Sequence, residues 1–170
     1  MQEDMRGDNF SIVTAGIIIA VSMLFGCPGW LHHDAWYTAV THHFFHVNAF
    51  HLAVNCISLW MLFSRRRTSI LFLALAYACA TGSWFFTSSD AIGISNFIFA
   101  TVGLRTPSLK DTWWRSPDTM IFLGLNMCMA FLPQVSGVTH IVSFSLGCIT
   151  AGLIRHINTV GHDFRRAARH

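Results

Sequence analysis

Charge is what this chain lacks. Only 11% of its 170 residues are Asp, Glu, Lys or Arg, where a soluble domain carries about a quarter. With 53% hydrophobic residues and a mean hydropathy of +0.48, the shortage excludes an ordinary soluble globule. It points to an all-α, polytopic membrane protein. Residues 1–170 leave no room for a second domain, so one membrane domain is expected, with short tails over 1–9 and 156–170.

Three further absences narrow the reading. Lys and Arg are missing from three of the connections between apolar runs. All eleven fall in the tails, at Arg65 to Arg67, or between Arg105 and Arg115. That is the asymmetry of membrane topology rather than a nucleic-acid patch, so no nucleic acid is expected as a partner. The five cysteines (Cys27, Cys56, Cys79, Cys128, Cys148) show no CxxC spacing. They read as small buried hydrophobes rather than disulfides or metal ligands. The first residues, Met-Gln-Glu-Asp-Met-Arg-Gly-Asp, lack the positive flank of a secretory signal, so the first apolar run is expected to stay as a helix.

What is present is a series of six apolar runs. They cover about Phe10 to Gly26, Thr41 to Ser64, Thr68 to Thr87, Ala91 to Leu104, Thr119 to Leu132 and Val138 to Ile154. Six spans place both tails, the Arg65 to Arg67 turn and the Arg105 to Arg115 loop on one side. That side collects every Lys and Arg and is expected to be cytoplasmic. The expected location is the plasma (inner) membrane, with the lipid bilayer as constant partner. The fourth run is too short to cross. From Ser95 to Leu104 it makes ~15 Å of helix, where a bilayer core needs about 20 residues. Ser95 is therefore expected to open a helix part-way through the membrane, with Gly93 in an irregular approach buried by protein or reached by water.

Polar groups inside such runs are costly, and by default functional. Ser95 and His140 lie in two runs. A third carries His51 and Asn55 at i and i+4, on one helix face. Counting back from Arg65 and Arg155 puts His51 and His140 at a similar depth, in the outward half of the bilayer. A serine hydroxyl needs a base, and imidazole titrates near neutrality. The oxyanion formed by attack on a carbonyl needs fixed donors, each worth ~2.7–4 kcal/mol of barrier. His51, Asn55 and the Ser95 backbone N–H supply three. A metal- or haem-binding alternative rests on His32, His33, His42 and His43, or on His51 facing His140. It leaves Asn55, Ser95 and the short fourth helix without a role. His156, His162 and His170 belong to the basic tail.

The stretch from Thr41 to Asn55, with histidines at 42, 46 and 51 and an HxxxN pattern on His51 and Asn55, resembles the second transmembrane helix of rhomboid intramembrane serine proteases. Gly93-Ile94-Ser95 resembles the GxS nucleophile motif of that family, and His140 resembles its histidine base. The resemblance implies a six-transmembrane-helix rhomboid-like bundle with a short fourth helix starting mid-membrane. It implies a serine endopeptidase cleaving transmembrane protein substrates through a Ser95–His140 dyad. His51, Asn55 and Ser95 would form the oxyanion hole, and His46, Phe99 and Gly93 would support it. No metal or organic cofactor is implied. Three departures stand out. Asn96 occupies a place where the family usually has Gly, and is expected to hold the fourth and sixth helices apart or to impede substrate. Phe99 stands for a usual Tyr and keeps the ring without the hydroxyl. The first outward loop is short and has no Trp-Arg pair. These departures motivate an alternative, a catalytically inactive relative that binds transmembrane segments.

Overall fold

The computed structural model describes residues 13–14, 16–17, 20–21, 36–63, 68–87, 92–106, 117–129 and 136–167. Every regular element among them is helical. In chain order these are α1 (Thr38–Thr41), a 3-10 turn (His42–Phe44), α2 (Ala49–Phe63), α3 (Ile70–Trp84), α4 (Ser95–Arg105), α5 (Pro117–Met129) and α6 (Gly137–Ala167). The six described positions between 13 and 21 are also helical. The rest of the first apolar run lies outside the described residues. So do His32, His33, Cys27, the Arg65 to Arg67 turn, Trp113, Trp114 and Pro133.

The stretch from Thr41 to Ser64 is not one continuous span. The helical pieces Thr38–Phe44 and Ala49–Phe63 meet at 91°. Phe45 takes an extended conformation (φ −103°, ψ 149°) and ends the 3-10 turn. Asn48 then accepts the His51 backbone N–H on its side-chain oxygen at 2.9 Å. That is an N-cap, and it opens a new helix where hydropathy alone would continue the old one. Among the described residues one helix, over Gly137–Gly161, is long and apolar enough by itself to cross a bilayer. The bent pair meets that test only when its two pieces are taken together, and Ile70–Trp84 is a shorter apolar helix. α6 also runs on to Ala167, well into the segment expected to be a tail.

α4 is the buried centre. Nine of its eleven residues are buried. Against it pack Leu59 and Phe63 of α2, Ala76 and Ala80 of α3, and Phe144 and Leu146 of α6. The closest approach is between α4 and α6. A Cβ on Gly103 would meet the Phe144 carbonyl oxygen, and one on Gly147 would meet the Ala100 carbonyl oxygen. Two facing glycines thus bring the helices into backbone contact, as small residues do in membranes. α6 is joined to α3 by Ser143, whose hydroxyl donates to Ser83 Oγ at 2.7 Å, and by Cys79 Sγ and Thr150 Oγ1 at 3.4 Å. Below the core, the Arg105 guanidinium donates to the Leu62 carbonyl and to Thr68 Oγ1, and sits over the Phe63 and Phe72 rings. This ties the end of α4 to the end of α2 and to Thr68, just ahead of α3.

The outside is apolar. Phe50, Ile57, Ile70, Leu71, Ile121, Ile141, Ile149 and Leu153 are all exposed large hydrophobics. An exposed apolar surface over several helices is what a lipid-facing bundle presents. Cys56, Cys79, Cys128 and Cys148 are free thiols. Cys79 is buried, but Cys128 is exposed, unlike the buried hydrophobe expected from sequence.

Candidate active site

Three helix N-termini meet at one place. His51 lies in the first turn of α2, Ser95 is the first residue of α4, and His140 lies in the first turn of α6. The α4–α6 glycine contact fixes the distance between the last two. Ser95 Oγ and His140 Nε2 are 2.7 Å apart, a short hydrogen bond. Both residues are buried, Ser95 at 4% exposure and His140 at 5%. The Phe99 ring stacks on the imidazole, with centroids 4.4 Å apart and planes at 15°. Phe99 is one turn from Ser95 on the same helix, so the stack and the hydrogen bond orient the His140 ring from two sides.

His51 and Asn55 reach the same place through Gly93. Its φ of 117° is open to glycine but rarely to residues with a side chain. A Cβ there would lie 2.8 Å from His51 Cε1, 3.1 Å from His51 Nε2 and 3.2 Å from Asn55 Nδ2. The backbone two residues before Ser95 therefore rests on both side chains. His51 and Asn55 are each 1% exposed, and their ring nitrogens and carboxamide atoms have no hydrogen-bond partner among the described residues. Buried donors without partners are rare and call for a reason. His46 meets the His51 ring edge-on, with centroids 5.2 Å apart.

The backbone adds a further donor. Ile98 is the first residue of α4 to bond back along the helix, to the Ile94 carbonyl at 3.1 Å. Helix geometry thus leaves the Ser95 N–H without an acceptor inside the helix. The positive ends of the dipoles of α2, α4 and α6 are all directed to this region. A hydroxyl in contact with an imidazole, beside buried N–H donors at helix N-termini, is an arrangement suited to acyl transfer.

The structure brings together every residue singled out for the site: Ser95, His140, Phe99, Gly93, His51, Asn55 and, beside His51, His46. It rearranges two readings. Asn96 does not part α4 from α6. Its side chain is buried and its Nδ2 bonds to His42 Nε2 at 3.2 Å, while the helices touch through Gly103 and Gly147. His42, grouped from sequence with a metal-binding alternative, stacks on Trp84 (4.6 Å, 27°) and holds Thr38 and Asn96 instead. Among the described residues no three His, Cys, Asp or Glu side chains are gathered as metal ligands. Sequence reasoning missed Gly103 and the His42–Asn96 pair. The available signal was a carboxamide inside a short, mostly apolar helix, which has to find a buried partner.

A family model for the rhomboid domain matches residues 33–157. No curated protein and no solved structure matches the chain. Rhomboid proteins are membrane proteins, usually serine proteases, and act on transmembrane substrates. The match covers most of the chain, including α1 to α5, the first turns of α6 and every site residue above, and this chain belongs to the rhomboid family.

Proposed function

We propose that this protein is an intramembrane serine protease that cleaves transmembrane protein substrates, and that Ser95 and His140 carry the reaction. The observation that carries the reading is the 2.7 Å contact between Ser95 Oγ and His140 Nε2 in a buried setting. In the first half-reaction Ser95 Oγ bonds to the scissile carbonyl carbon and His140 takes the hydroxyl proton. The carbon–nitrogen bond then breaks, and His140 returns that proton to the leaving amine. In the second, His140 takes a proton from water, the hydroxide displaces Ser95 from the acyl group, and Ser95 recovers its proton. The negative oxygen of each tetrahedral species would be held by His51, Asn55 and the Ser95 N–H. Phe99 keeps the imidazole facing Ser95, Gly93 lets the chain turn against His51, and His46 supports His51. The six-span topology, with both termini cytoplasmic in a plasma membrane, belongs to the same proposal and rests on the distribution of Lys and Arg.

The test is cleavage of a model single-span substrate in detergent or vesicles, together with labelling by a fluorophosphonate. The parent protein is expected to cut and to label at Ser95. Ser95→Ala and His140→Ala should each lower turnover by ~10⁴–10⁶-fold, with substrate capture unchanged. Equal cutting by all three proteins would sink the proposal. Capture without products, and no labelling of the parent, would favour the inactive binding relative.

A further inference from the structure

Asn96 follows Ser95 directly, and its buried carboxamide takes no part in the chemistry proposed above. Its partner, His42, is 0% exposed and lies in the 3-10 turn ahead of α2. His42 holds the serine segment at two points. Its backbone carbonyl accepts the Gly93 N–H at 2.9 Å, two residues before Ser95. Its Nε2 meets Asn96 Nδ2 at 3.2 Å, one residue after. The direction of the second bond follows from the partner of the other ring nitrogen. His42 Nδ1 lies 2.9 Å from the Thr38 carbonyl oxygen, and a carbonyl can only accept. In the neutral ring Nδ1 therefore carries the proton, Nε2 is an acceptor, and the Asn96 amide donates to it. The Trp84 ring, stacked on the imidazole at 4.6 Å, fixes its plane.

We propose that Asn96 and His42 form a latch that positions Ser95: the carboxamide–imidazole bond and the Gly93–His42 backbone bond pin the chain on both sides of the nucleophile. The inference rests on the protease reading and deepens it by assigning positioning residues. Ser95 stands at the very start of α4, where only one side of the chain is held by helical bonds. Ile94 adopts φ −73° and ψ 0° and gives no side-chain cap, so nothing in the local sequence fixes the entry into the helix. The latch supplies that restraint from outside. A displacement of about 1 Å at a reacting atom can cost ~10²-fold in rate, so a single bond next to the nucleophile can matter without touching substrate.

The experiment uses the full chain in detergent and reads fluorophosphonate labelling and peptide-bond cleavage for the parent, Asn96→Leu, His42→Phe and the double variant. Leu keeps the branched, four-atom shape of the Asn side chain, with somewhat more volume, and removes the donor. Phe keeps a ring on Trp84 and removes both nitrogens. Asn96→Leu is expected to lower the labelling rate per competent site and kcat by roughly tenfold to a hundredfold, with KM within about twofold of the parent. In the His42→Phe background the same change should have no further effect, because the bond is already gone. A merely structural role would instead reduce the number of labelled sites and leave the rate per site unchanged. If Asn96→Leu labels at the parental rate per site, or if the two changes multiply independently, the latch is overturned while the protease reading stands. A parent that neither labels nor cuts overturns both together.

Discussion

The pair α4–α6 and the pair α2–α5 are built on different principles. α4 and α6 meet backbone to backbone at Gly103 and Gly147, with carbonyl oxygens where side chains would otherwise stand. α5 meets α2 through side chains. Asn126 Nδ2 donates to Ser58 Oγ at 3.1 Å and to the Phe122 carbonyl at 2.9 Å, and Phe122 is buried beside it. The opposite face of α5, with Met120, Ile121, Leu125 and Cys128, is exposed. Backbone contact leaves no rotamer to adjust, so the first pair fixes the Ser95–His140 distance. Among the described residues the second rests on one polar link and one ring, and a lone interhelical hydrogen bond in a membrane averages only ~0.6 kcal/mol. The short fifth run, with Gly124 and Pro133, reads from sequence either as a gate for a substrate helix or as a tilted helix; Pro133 lies outside the described residues. Among the described residues, the proposed Ser95–His140 pair thus lies on the seam with direct backbone contact, and α5 is joined to α2 through side chains.

The sharpest way to break this comparison is Gly147→Leu. Its side chain would run into the Ala100 carbonyl and the Leu104 N–H, and helix backbones cannot yield as a rotamer can. A cost at or above the usual ~1–3 kcal/mol of overpacking is expected. Labelling of Ser95 should vanish, and the unfolding midpoint in detergent should fall. A Gly147→Leu protein that labels normally would mean the α4–α6 contact does not set the dyad.

Gly93→Ala tests the junction between the two pairs. The added methyl meets His51 at 2.8 Å and also forces a residue with a side chain to φ 117°, a strain of about 1–3 kcal/mol. Cleavage should drop by ~10²-fold, about the effect of losing one oxyanion donor. The unfolding midpoint should move less than in Gly147→Leu. Parental kcat in this variant would remove His51 and Asn55 from the proposed reaction.

Asn126→Leu should have the smallest effect. It removes the polar link from Asn126 to Ser58, and leaves Ser58 without that partner, for a loss of about 1 kcal/mol. Labelling by the small probe should stay at the parental rate, because neither seam residue touches Ser95 or His140. A large fall in labelling would show that α5 is coupled to the dyad more tightly than its contacts imply.

Much of the fold could be read from the chain, and the failures have identifiable causes. The short α4 was legible because the ten residues from Ser95 to Leu104 can build only a short helix before Arg105 ends the run. The break at Phe45 to Asn48 was not. His46 and Asn48 sit in a run apolar enough to pass as one span, and the cap on Asn48 is a local bond that hydropathy does not register. The expectation that Asn96 parts the fourth and sixth helices failed for a different reason. Its size was visible in the sequence, but the direction of its side chain depends on where the 3-10 turn places His42, 54 residues earlier in the chain.

By itself the sequence determined the medium and the ingredients. Scarce charge and long apolar runs demand lipid, the length of the fourth run places Ser95 at a helix start, and i, i+4 spacing puts His51 and Asn55 on one face. These are one-dimensional properties, set by hydropathy and by the 3.6-residue turn. Only the tertiary structure decided that Ser95 and His140 touch, that Gly93 rests on His51 and Asn55, and that Asn96 holds His42. Each of those contacts joins residues about 40 or more positions apart. Their distances depend on how closely helix backbones approach, which is settled by facing glycines on two helices and by steric fit between surfaces.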